Sequence, residues 1–148
     1  MDESGRIFTF SDNRFPGQPL PLLAFSLSKT EPLWRTSRNY IGHPALRGDT
    51  VFASRADSAI IDLINTADGS VRASIDIGNG RGPLINNVIV TGSHLFVASE
   101  TATYAVDLRQ STYPVVWSAP KGGALAITPD NVLTISASDG IVAYRLAP

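Results

Sequence analysis

Gly48-Asp49-Thr50-Val51-Phe52-Ala53-Ser54 and Gly92-Ser93-His94-Leu95-Phe96-Val97-Ala98-Ser99 are two versions of one pattern, a turn followed by a short run of strand-favouring residues. The two glycines stand 44 residues apart. A weaker copy, Gly5-Arg6-Ile7-Phe8-Thr9-Phe10-Ser11, lies 43 residues before the first, and Asp130-Asn131-Val132-Leu133-Thr134-Ile135-Ser136 follows the second at a shorter interval. A fixed period in this range marks a repeat architecture, in which each unit buries its faces only by stacking on its neighbours.

Each copy is followed by a second apolar run, at residues 22–27, 59–64, 103–108 and 140–146. Three copies have a third run, at residues 33–35, 71–75 and 115–118, and three are preceded by another, at residues 44–46, 85–90 and 124–128. Val, Ile, Thr and Phe crowd the runs, while Gly, Pro, Asn and Asp crowd the gaps, so no helix is expected. The pairs Asp68-Gly69 and Asp139-Gly140 are tight-turn sequences that place hairpins.

Units of about four antiparallel strands at this period match the blades of a β-propeller, an all-β fold. The repeats are expected at about residues 5–39, 40–77, 78–120 and 121–148, as one partial β-propeller domain over 1–148. The first lacks its leading strand and the last its closing strand, so the units hold three, four, four and three strands. The expectation is the C-terminal part of a larger ring, the alternative a minimal ring of four blades. A partial ring leaves two sheet faces uncovered, which calls for further blades or a second copy of the chain.

The 148 residues are 43% hydrophobic and 17% charged, with a formal net charge of −1. That composition is of a chain that packs, and it supplies no basic field for nucleic acid. No run approaches the length of a membrane-spanning helix, and Met1-Asp2-Glu3-Ser4-Gly5-Arg6 lacks the features of a signal peptide. The absence of cysteine excludes disulfides, thiolate metal sites and thiol nucleophiles, and leaves the compartment open.

Thr103-Tyr104-Ala105-Val106-Asp107-Leu108, followed by Trp117, resembles the repeat of the quinoprotein-like (PQQ-repeat) propellers. Ala24-Phe25-Ser26-Leu27 with Trp34, and Ile61-Asp62-Leu63 with Thr66-Ala67-Asp68-Gly69, resemble degraded copies of it. The resemblance implies a periplasmic or extracellular protein. It spans quinone-dependent alcohol and glucose dehydrogenases as well as non-catalytic assembly scaffolds, sensors and binding platforms, and the fold alone does not choose between them. The enzymes hold quinone and calcium on the propeller axis with a catalytic Asp and often a vicinal cysteine pair. No set of Asp, Glu and Asn in this chain can be matched to that site, so no catalytic, cofactor or metal residue carries over.

His43 and His94 are the only histidines and supply too few ligands for a metal site. Gly78-Asn79-Gly80-Arg81-Gly82-Pro83 lacks the Lys-Ser/Thr of a phosphate cradle and reads as a connection between blades. The same position elsewhere holds Arg38-Asn39-Tyr40-Ile41-Gly42-His43 and Pro120-Lys121-Gly122-Gly123. Three successive connections thus carry a cation, and Arg38, Arg81 and Lys121 are the candidate contacts to a protein or small-molecule ligand at the axis or rim. The plainer reading makes them solvated turn charges. Trp34 and Trp117 are expected to pack between blades. No Gly-x-Ser-x-Gly elbow or Ser, His and carboxylate set can be assembled. Residues 14–21, with three prolines, are expected to lengthen the first hairpin as a surface excursion or a projecting contact loop.

The functional expectation is a non-catalytic binding or scaffold module without a cofactor. The alternative is the C-terminal fragment of a quinone-dependent dehydrogenase, and a third reading is a ring assembled from two identical half rings.

Overall fold

The computed structural model describes residues 1–2, 4–10 and 20–146. Within them the repeated runs form thirteen strands and no helix. The first blade contains β1 (Arg6–Phe10), β2 (Leu20–Ser26) and the first half of β3 (Trp34–Arg47). The second half of β3, with β4 (Thr50–Arg55), β5 (Ile60–Asn65) and β6 (Val71–Asp76), makes the second blade. The third holds β7 (Ile89–Val90), β8 (His94–Ala98), β9 (Thr103–Asp107) and β10 (Val115–Ala119), and the fourth β11 (Ala124–Ile127), β12 (Val132–Ala137) and β13 (Gly140–Arg145). All neighbours within a sheet are antiparallel.

The fourteen expected runs become thirteen strands because β3 serves two blades. Tyr40 pairs with Leu20 of the first blade on one side and with Arg55 of the second on the other. This corrects the expectation that residues 38–43 form a connection. One irregularity lies between Arg35 and Asn39, opposite Leu23 and Pro21, and Gly42, at φ 75°, absorbs a second bulge, yet the strand runs on through both rather than ending. Thr36 holds the crossing by accepting the Leu22 N–H (2.9 Å) and donating to the Arg38 carbonyl (2.9 Å). Of the expected excursion at residues 14–21, all but Leu20 and Pro21 lies outside the described residues; those two open β2.

Strand residues alternate between faces, and each inner blade is apolar on both. On β4, Val51 and Ala53 join Leu22, Tyr40 and Ile64 in a cluster against the first blade. Phe52, between them, faces the third blade with Ile61, Leu63, Ile75, Leu95, Val97 and Val106. On β8, Leu95 and Val97 point back to the second blade, while Phe96 and Ala98 meet Leu125, Leu133 and Ile135 of the fourth. Three cores therefore lie between four blades, the first two of which are joined through β3 into one six-stranded sheet. Each fully buried Ile or Leu contributes about 1.5–3 kcal/mol relative to an exposed position. On the outward faces, Ile7 is 37% and Ile141 71% exposed.

Inner strands of successive blades also bond to each other. His43 of β3 and Asn87 form a parallel bridge, with the Val88 N–H donating to the His43 carbonyl at 2.9 Å. Asn87 then reaches the fourth blade, its Nδ2 donating to the Leu125 carbonyl and its Oδ1 accepting the Leu125 N–H, both at 2.8 Å. A side chain here does the work of a strand.

Candidate functional site

One end of the blades carries the β4–β5, β8–β9 and β12–β13 turns, and the chain returns across that end to start each new blade. The returns pack tightly. The Ala56 N–H donates to the Asn39 carbonyl (3.2 Å), and the Ile77 N–H to the Ala59 carbonyl (2.9 Å). Thr103 Oγ1 donates to the Lys121 carbonyl (2.7 Å), and Gly122 lies so close to Ser99 and Glu100 that a side chain would strike their backbone. Arg38, Arg81 and Lys121 all fall at this end, Arg38 on a strand and the other two in connections.

Each of the three cations faces the blade that follows it. The Arg38 guanidinium lies 3.9 Å from Asp62 of β5. That of Arg81 stands 5.3 Å from the Tyr104 ring centroid on β9 and donates to the Ile77 carbonyl at 3.0 Å. Lys121 is ion-paired with Asp139 in the β12–β13 turn. Among the described residues no two of them share a partner.

Asp62 is the buried centre of a polar cluster, its side chain fully removed from solvent. Arg55 grips it with two parallel bonds, Nε to Oδ2 at 2.9 Å and Nη2 to Oδ1 at 2.7 Å. Tyr40 Oη donates to Oδ2 (3.0 Å) and Ser74 Oγ to Oδ1 (2.6 Å). Burial pushes the Asp62 carboxyl up, but the hydrogen bonds from Arg55, Ser74 and Tyr40 outweigh it and hold the group below the usual carboxylate range. Burial and the Asp62 charge push the Tyr40 hydroxyl well above its ordinary value. The cluster is thus an ionised carboxylate satisfied by neutral and cationic donors at neutral pH.

Above it a cavity of about 580 Å³ is lined by Arg38, Asn39, Arg55, Ala56 and Asp57. A second, more apolar cavity of about 460 Å³ opens between the third and fourth blades at the opposite end, lined in part by His94, Phe96, Trp117, Ile127 and Tyr144. Trp117 meets Tyr144 edge-on there at 5.1 Å, and Trp34 crosses to the second blade, where Nε1 donates to the Thr66 carbonyl at 3.0 Å. His43 is exposed and His94 Nδ1 pairs with Ser93 Oγ at 2.9 Å. Among the described residues no group of three or more His, Asp and Glu side chains is set to hold a metal ion.

Sequence reasoning missed Arg55, Asp62 and Asn87 as working residues. Asp62 had a signal, a charge in the middle of the run Ile60-Ile61-Asp62-Leu63-Ile64, where a strand buried on both faces requires a partner. Asn87 had none, since its partner is a backbone 38 residues away.

The sequence matches no known protein family and no curated protein. Among solved structures, the chain is similar to the β-propeller protein BamB from Moraxella catarrhalis, with a TM-score of 0.64 and 12% identity over 98% of this chain. It spans about half of that protein, 48% of its length. The antiparallel sheets of six, four and three strands, the first of them spanning two blades through β3, and this likeness show the fold: an all-β chain of consecutive β-propeller blades.

Proposed function

We propose that the chain is a non-catalytic binding or scaffold module of the quinoprotein-like propellers, its four repeats forming one domain whose contact surface is the turn-bearing end. The observation that carries this reading is the cavity of about 580 Å³ at that end, lined by Arg38 and Arg55 and set on the rigid Asp62 cluster. Loops fixed on a packed scaffold are the usual seat of binding. Arg38, Arg81 and Lys121 are the cations that meet the partner, and the partner is a protein. The likeness to BamB supports the propeller blades on which such a surface is carried.

The experiment is a quantitative recovery of co-purifying proteins with the chain as bait, comparing Arg38→Glu, Arg81→Glu and Lys121→Glu with Arg145→Glu at the opposite end. Loss of the same protein in the first three and its retention in the fourth is the expected result. Retention in all four overturns the reading, as does the appearance of dye reduction when quinone, calcium and an alcohol are added.

A further inference from the structure

The three cations hold matching places at the turn-bearing end, but only two of them are committed to a close partner. Lys121 is committed to Asp139, and Arg81 to the Tyr104 ring and the Ile77 carbonyl. Arg38 would have Asp62, except that Arg55 already binds both carboxylate oxygens and Tyr40 and Ser74 fill the remaining acceptor positions. Arg38 is left 3.9 Å away, beyond hydrogen-bonding distance, with its side chain 53% exposed. Among the described residues none of its guanidinium nitrogens donates a hydrogen bond, nor does Nη1 of Arg55. Two guanidiniums serve a carboxylate that one of them satisfies, and both line the same cavity.

The rest of the lining narrows the ligand. Asp57 stands on the rim, where it opposes a free anion and accepts a hydrogen bond. Asn39 is part of the lining, and its side-chain amide is able both to donate and to accept. A carboxylate with peptide N–H and C=O groups close beside it matches this set, and a bare, symmetric anion does not.

The geometry points to a subsite for an acidic side chain, Asp or Glu, carried on an extended segment of the partner protein, its carboxylate received by Arg38 and Nη1 of Arg55 and its backbone read by Asn39 and Asp57. The assignment rests on the reading of the turn-bearing end as the contact surface. Planar, two-point recognition of carboxylates is the chemistry for which arginine is suited.

The test is a nuclear magnetic resonance titration of the intact chain with N-acetyl-glutamate N-methylamide, its glutamine counterpart and inorganic phosphate at one ionic strength. The glutamate probe is expected to move the Arg38 side-chain N–H and the amides of Asn39, Ala56 and Asp57 along one saturable curve. The glutamine probe and phosphate are expected to bind at least tenfold more weakly. Arg38→Gln is expected to weaken the glutamate probe at least tenfold with an unchanged melting temperature, because Arg38 makes no hydrogen bond to Asp62. Asp57→Asn is expected to admit phosphate. Absence of the glutamate shifts, equal shifts with phosphate, or unaltered binding in Arg38→Gln overturns the subsite. Continued loss of a partner protein in Arg81→Glu and Lys121→Glu alongside such a result shows that the subsite fails and the contact surface stands.

Discussion

Asp62 and Tyr104 hold the same position in consecutive blades, and each lies beneath a cation delivered by the preceding return of the chain. Asp62 pairs across its sheet with Ala53 and Tyr104 with Val97, the matching positions of the two strongest sequence repeats. Arg38 stands 3.9 Å from the first and Arg81 5.3 Å from the second ring centroid. One blade meets its cation with a charge and the next with a π face. The charge called in a second arginine, Arg55, and that substitution of partners is what leaves Arg38 available at the cavity.

Removing Arg55 leaves a buried, ionised carboxylate with only hydroxyl donors and a distant guanidinium. Arg55→Met is therefore expected to cost about 3–5 kcal/mol in denaturant unfolding. Arg55→Met combined with Asp62→Leu is expected to recover most of that loss, since an apolar pair of similar volume needs no desolvated charge. Additive losses in the double variant would contradict the geometry.

The acid side of the stability curve follows from the same group. The folded-state value of Asp62 lies below its unfolded value of about 3.9, so the unfolded chain binds the proton more readily. The contribution is fully present above about pH 5 and is lost as the pH falls through the folded value. Asp107, bonded by the Arg109 side chain and backbone N–H, shifts the same way. The informative quantity is thus the difference between wild type and the Arg55→Met, Asp62→Leu variant, whose acid limb is expected to be shallower. Identical limbs would remove Asp62 from the account.

Asn87 ties the third blade to the fourth through two bonds to Leu125. Asn87→Ala is expected to destabilise by about 1–3 kcal/mol, because both backbone groups of Leu125 lose a partner. Hydrogen exchange should show the Leu125 amide opening faster, with the Val51 and Ile64 amides of the first interface unaltered. Uniform acceleration across all blades would argue against a local stitch.

Two glycines separate backbone strain from contact between blades. Gly48 has φ 56° with open space around it, and Gly42 has φ 75° with the Asn86 carbonyl where a side chain would stand. Gly48→Ala is expected to cost about 1–2 kcal/mol for the left-handed conformation alone. Gly42→Ala is expected to cost clearly more, as the inner strands of the second and third blades are forced apart. Equal losses in thermal unfolding would mean the strands are not packed as described.

The fold was legible wherever strand and turn chemistry are local. Phe52 and Phe96 recur at one interval because each must fill the gap to the next blade, and Asp68-Gly69 and Asp139-Gly140 fall at the β5–β6 and β12–β13 hairpins, Gly140 as the first residue of β13. The continuity of β3 was hidden by Gly42, which made residues 38–43 read as a connection but sits inside a bulged strand. Arg38, Arg81 and Lys121 were visible as a set because their spacing follows the repeat. Their partners were not, since Asp62 and Tyr104 look alike only after pairing aligns them. Asn87 and Arg55 work through contacts that no neighbouring residue announces.

The most direct test of the contact surface is photo-crosslinking in cells that make the protein. A photoreactive amino acid at Asp57, Asn79 or Glu100, all exposed at the turn-bearing end, is compared with the same residue at Asp130 in the opposite β11–β12 turn. A discrete protein adduct from the first three positions, abolished by Arg38→Glu and missing from the fourth, is the result expected. Adducts from Asp130 alone, or equally from all four positions, would contradict it.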